Sequence, residues 1–223
     1  MTQDARFVRS STGRGRPPPD RGQQALRRLE DATRRLAEQT RGRARTGRSH
    51  DQADEDAGTV ATDDAIGFDP LPLLRTLDRH GARVVAIGQV AGILHGSAEL
   101  TGDLDLLWDG SAGQAAALAA GFAAAGARLV DDDDRPVPTD PAAFALPKVV
   151  FSTATAAGDC CTPALPWGAL DVAAFLHRCE TAITPDGLTL RWLALDDLAA
   201  MRLAVGRPKD LRRAAELRRL RRP

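Results

Sequence analysis

The chain predicts a small mixed α/β (α+β) domain with a helical C-terminal end, preceded by a disordered, basic N-terminal arm. Three observations carry that reading. Short β-branched runs such as "RVVAIG" and "KVVFST" alternate with helical patterns. The C-terminal residues hold two helical stretches, "LDDLAAMRLAVG" and "PKDLRRAAELRRLRR", divided at Gly206, with Pro208 in the first turn of the second. The first fifty residues hold 13 arginines against five acids, a net charge of +8, and hardly a bulky apolar side chain.

Taken in order, residues 1–66 read as an Arg-rich arm and an acidic linker, because so little apolar surface cannot offset the entropy of ordering. Within the arm, "QQALRRLEDATRRLAEQ" repeats Leu26, Leu29, Ala32 and Leu36 at helical spacing, so a short helix is predicted there. Its role stays open between a solvated tail and an arm for nucleic acid or a partner. The domain proper is predicted over residues 67–223. It starts with "FDPLPLLRTLDRHG", a helix with Asp69 as cap, Pro70 in its first turn and Gly81 as terminator.

"RVVAIG" then reads as a strand covered on both faces, "QVAGILHG" as two turns of helix, and "DLDLLWD" as an alternating strand. "SAGQAAALAAGFAAAG" is a helix opening at Ser111, "ARLV" a strand and "DDDDRPVPTDP" a loop. "KVVFST" and "GALDVAAF" read as strands joined by a loop containing Cys160 and Cys161, and "LTLRWLA" as the last strand. In the final helix Leu211, Ala214, Ala215 and Leu217 are expected to face inward.

The informative feature is a pair of acids one residue apart inside an apolar run. On a strand, Asp103 and Asp105 project together, about 6 to 7 Å apart, while Leu104 and Leu106 turn to the core. Two carboxylates so held repel each other, and burial raises their pKa values, so a cation is wanted between them. A third acid, Asp171, stands in the apolar run "GALDVAAF". Three strand carboxylates can bridge two metal ions about 3.5 to 4 Å apart. Upstream, Gly88 ends a strand and leads into a helix at Gln89, where backbone amides and the helix dipole favour a phosphate.

This order of features resembles the nucleotidyltransferase superfamily that includes DNA polymerase beta. Within it, the similarity is to the minimal bacterial members related to abortive-infection and toxin–antitoxin nucleotidyltransferases. The positions that carry the resemblance are Gly88-Gln89, His95-Gly96, Thr101, Asp103-x-Asp105, Asp171, and "MRLAVGRPKDL" with Arg202, Arg207, Lys209 and Asp210.

The resemblance implies a Mg²⁺-dependent enzyme, with two ions held by Asp103, Asp105 and Asp171. Gly88, Gln89, Thr101, Arg202, Arg207 and Lys209 would bind the substrate. The reaction would transfer a nucleoside monophosphate from an NTP to a tRNA or other RNA end, or to a protein hydroxyl, in a toxin-like protein with a cognate antitoxin. Gln89 stands where the family has Gly or Ser, Glu99 where relatives often carry Arg, and Arg202 where Lys is usual. These departures define the alternative: a catalytically degenerate member that binds nucleotide, RNA or a protein partner.

Other classes find less support. No Walker-type loop and no Gly-x-Gly-x-x-Gly follows a strand. Cys160, Cys161, His177 and Cys179 lack zinc-ligand spacing. No membrane partner is expected, since no apolar run approaches the roughly 18 residues that cross a bilayer. Three cysteines form no disulfide framework, so a cytoplasmic protein is predicted.

Overall fold

The protein is described here by a computed structural model over residues 21–48 and 59–221. Among these residues are seven α-helices and one eight-stranded mixed sheet. The first helix, α1 (Arg21–Thr40), is followed by two short 3-10 turns, Thr59–Ala61 and Asp63–Ala65. Next come α2 (Leu71–Arg79), β1 (Val85–Ala86), α3 (Gly88–His95), β2 (Leu106–Leu107) and α4 (Ala112–Ala124). A run of strands follows: β3 (Arg128–Val130), β4 (Pro136–Val137), β5 (Lys148–Ser152) and β6 (Ala157–Cys161). The chain continues through α5 (Val172–Leu176), β7 (Glu180–Ile183), β8 (Thr189–Trp192), α6 (Leu195–Val205) and α7 (Pro208–Leu220).

The strand order is β4-β3-β5-β6-β2-β1-β8-β7. Two pairings are parallel, β2 with β6 and β1 with β8, and the rest are antiparallel. Helices α2 and α4 pack on each other, while α1, α6 and α7 gather around α3. Trp108, Phe122, Phe144 and Phe151 form an aromatic centre, with ring centroids 5.1 to 6.1 Å apart.

Four expectations need correction. A disordered arm does not describe residues 21–48, because α1 is docked: Ala25, Leu29, Ala32 and Leu36 are all at most 3% exposed. Arg28 donates to the Leu94 carbonyl at the end of α3, and Arg43 donates to the carbonyls of Val60 and Thr62. Enough apolar surface is present after all, since α3 and β7 supply a face to receive it. The readings of residues 1–20 and 51–58 lie outside the described residues.

The second correction is that "GALDVAAF" is no strand. Asp171 accepts a hydrogen bond from the Ala174 amide and caps α5. A carboxylate at the N-cap satisfies an otherwise unpaired helical amide, and the Ala-rich run behind it favours a helix. Third, the supposed loop before it contains β6, whose small residues "AGDCC" gave no β-branched signal yet pair with both β5 and β2. The final helix also turns differently, with Arg213 buried beside Ala214 and Leu217 while Leu211 is 47% exposed.

Candidate functional site

The site begins where β1 hands over to α3. Gly88 has φ +59, and a side chain there would collide with Asp105, its Cβ lying 1.6 Å from one carboxylate oxygen. Only glycine lets this turn accept the acid. Asp105 is fixed in turn by its carbonyl, which accepts from the Ile87 amide. Leu104 donates to the Ala157 carbonyl, so the lead-in to β2 lies along the start of β6.

That neighbour brings a carboxylate the sequence reading did not single out. Parallel β2 and β6 pair Leu106 with Cys160 and Leu107 with Cys161. Extending the register back by one residue sets Asp105 beside Asp159. Side chains alternate along extended backbone, so Asp103 shares their side while Leu104 and Leu106 turn into the core. Asp103, Asp105 and Asp159 line one small cleft of about 100 Å³. Asp171 does not join them, being exposed at the start of α5. The one available signal for Asp159 was an acid set among small residues, in a segment that becomes the strand next to the Asp-x-Asp pair.

The same cleft is also lined by a cationic wall. Arg202 comes from α6, Arg207 from the turn after it, and Lys209 and Arg213 from α7. The buried Asp210 organises this wall: it accepts from Arg202 Nη1 at 2.9 Å and from Arg207 Nε at 2.7 Å. Burial alone would lift the Asp210 carboxyl, but the two guanidinium groups outweigh it and hold the carboxyl below its ordinary range. Arg202 is 8% exposed, and among the described residues its Nη2 has no hydrogen-bond partner. A buried, cationic donor without an acceptor is costly, and an anion in the cleft would relieve it. Burial and the nearby Arg213 push the Lys209 ammonium below its ordinary pKa.

The carboxylate side shows the opposite imbalance. Protein packs closely around Asp103, and this desolvation, with the charges of Asp105, Asp159 and Asp64, holds its carboxyl well above the usual carboxylate range. Asp103 and Asp159 also line a second, larger cleft of about 500 Å³ over β5 and β6. There Lys148 bridges Asp132 at 2.7 Å and Asp159 at 3.8 Å, and Asp64 and Arg128 stand at the rim.

Two residues expected to bind substrate, Gln89 and Thr101, line the same cleft and also hold the loop before Asp103. Gln89 is 4% exposed and donates its amide to Ser97 Oγ and to the Glu99 carbonyl, both at 3.0 Å. The Thr101 hydroxyl meets that of Thr59 at 2.8 Å and accepts from the Asp103 amide. Glu99 is paired with Arg213, while Glu216 accepts from Ser97 Oγ. His95 bonds the Leu193 carbonyl through Nε2 and packs edge-on to Trp192, so it has a structural task.

The cleft thus sets three carboxylates against four cationic side chains. No family model matches the chain, and no curated protein matches it. Among the described residues no three His, Cys, Asp or Glu side chains form a group already disposed to hold a metal ion, and no helix is long and apolar enough to cross a membrane.

Proposed function

We propose that the protein is a Mg²⁺-dependent nucleotidyltransferase that moves a nucleoside monophosphate from an NTP to a hydroxyl acceptor on an RNA end or a protein. The single observation that carries this reading is the convergence of Asp103, Asp105 and Asp159 with Arg202, Arg207, Lys209 and Arg213 on one cleft, where Arg202 Nη2 has no hydrogen-bond partner among the described residues. A triphosphate complements the wall, and a divalent cation complements the carboxylates. The order of features in this sequence resembles that of the polymerase-beta-like nucleotidyltransferases, and on this reading Asp159 takes the place first given to Asp171.

The donor set fits magnesium. Three carboxylates offer only hard oxygen ligands, and burial together with the neighbouring acids disfavours an ionised Asp103 that a dication would favour. Asp103, Asp105 and Asp159 would hold the metal, and when bound it would neutralise phosphate charge and favour ionisation of the attacking hydroxyl. The rest falls to the chain itself. Arg202, Arg207 and Lys209 would grip the phosphates, a role that charge-assisted hydrogen bonds suit. The larger cleft beside Asp103 and Asp159 would admit the acceptor, with its hydroxyl oxygen brought against the α-phosphorus as pyrophosphate leaves. The smaller cleft is too tight for a triphosphate as it stands, so Arg207 and Arg213 would swing outward on binding.

The test is transfer of label from α-³²P-NTPs in Mg²⁺ to cell-extract RNA or protein. Asp159→Asn should reduce labelling by at least about a hundredfold, the scale of losing one preorganised charge at a reacting centre. Asp171→Asn should leave labelling within about threefold of the wild type, since a surface cap acts on stability alone. Equal loss in both variants, or no labelled product with wild-type protein, would overturn the proposal. NTP binding that needs Mg²⁺ but yields no product would point instead to the degenerate, binding-only alternative.

A further inference from the structure

We infer that Thr59 is a positioning residue of the site, and that through it the N-terminal segment holds the backbone that presents Asp103. The effect on rate rests on the nucleotidyl-transfer reading, whereas the latch itself does not. Asp103 needs such a hold. It faces the like charges of Asp105, Asp159 and Asp64, and it lies outside the paired part of β2. Any drift of this backbone would misplace the carboxylate among its acidic neighbours and the Arg213 guanidinium, which attracts it.

What opposes it is a short chain of buried hydroxyls. Thr59 is 5% exposed and Thr101 3%. Their oxygens lie 2.8 Å apart, the Gly102 amide donates to Thr59 Oγ1 at 3.3 Å, and the Asp103 amide donates to Thr101 Oγ1 at 3.3 Å. Two consecutive amides, those leading into the first carboxylate, are thus satisfied by one pair of threonines. Backbone packing seals the arrangement. A Cβ on Gly102 would lie 2.5 Å from the Cα of Ala65, so the segment after Thr59 rests directly on the chain before Asp103.

The segment that supplies Thr59 is itself anchored. Arg43 donates to the carbonyls of Val60 and Thr62. Asp63 accepts from the amides of Thr46 and Gly47, both at 2.9 Å, which draws its carboxyl below the ordinary value. Residues 43–47 follow directly from the docked α1. The buried leucines of that helix are therefore connected, bond by bond, to the placement of Asp103. Thr59 touches no reacting atom in this account. It acts by holding Thr101 and Gly102.

Thr59→Val keeps shape and removes the hydroxyl, while Thr59→Ser keeps the hydroxyl. Deuterium exchange should show residues 100–104 opening about tenfold faster in T59V and within about twofold of the wild type in T59S, as loss of a buried acceptor predicts. Labelling should fall roughly 10- to 100-fold in kcat for T59V with KM for NTP moving less than about threefold, as a misplaced reacting group predicts. T59S should recover most of that loss. Unchanged exchange in T59V, or a T59S variant as impaired as T59V, would overturn the inference. Should T59V fail to fold, Thr59→Ala against T59S gives the same comparison. A wild-type protein that never labels would defeat the nucleotidyl-transfer reading, and the exchange comparison would still decide the latch.

Discussion

Asp103 sits where folding and chemistry want opposite things. Its carboxyl titrates well above the ordinary value near 3.9, because desolvation and three neighbouring carboxylates disfavour its charged form. A carboxyl raised on folding contributes its full stability below the unfolded pKa and loses it as the pH climbs through the folded value. The cost of Asp103 to the fold therefore grows as the pH rises above the unfolded value. Asp103→Asn should melt higher than the wild type at pH 7.5 without metal, by about 2 to 4 °C for each kcal/mol relieved, with the gap closing as the pH falls toward 4. Scanning calorimetry across that range checks the sign. Adding Mg²⁺ should raise the wild-type melting temperature and leave D103N nearly unmoved.

Single residues were legible where spacing alone fixes geometry. Asp103 and Asp105 had to share a side. Asp159 was not legible, because its place depends on which strand lies next to β2, and that is a tertiary fact. Asp171 misled for a local reason: an acid before "VAAF" fits an N-cap as well as a strand, and the backbone chose the cap.

Elements were legible by period, not by partner. The 3.6-residue repeat in "QQALRRLEDATRRLAEQ" announces the apolar face of α1, yet nothing in the stretch says that α3 and β7 cover it. Arginines on the opposite face made the helix resemble a solvated tail. Because Leu29 and Leu36 are each 1% exposed, L29A and L36A should each cost about 2 to 5 kcal/mol in urea unfolding. Arg27→Ala, on the exposed face, should stay within about 0.5 kcal/mol. Equal midpoints for all three variants would mean that α1 is not part of the folded body. β6 was missed for the reverse reason, since glycine, aspartate and two cysteines carry little β-propensity and the strand exists through its neighbours.

At the scale of the whole molecule, β6 lies inside the sheet with a strand on each side. Burial, aided by the charge of Asp159, pushes the thiols of Cys160 and Cys161 up, and both are at most 4% exposed. A thiol needs its anion to react, so these two should stay silent toward a disulfide reagent until the sheet opens. With Cys179→Ser as background, two thiols should titrate in guanidinium, and native protein should react only at its rate of global opening. Fast native reaction would mean that β6 detaches on its own.

The Nε and Nη2 of Arg213 both donate to Glu99. Nε has a single proton, so a visitor that recruits it does so in exchange for an internal carboxylate. Released, Glu99 would leave its stretch of chain held by Gln89, Glu216 and the Thr59–Thr101 pair, and occupancy on the cationic side would reach the loop that carries Asp103 as a loosened tether.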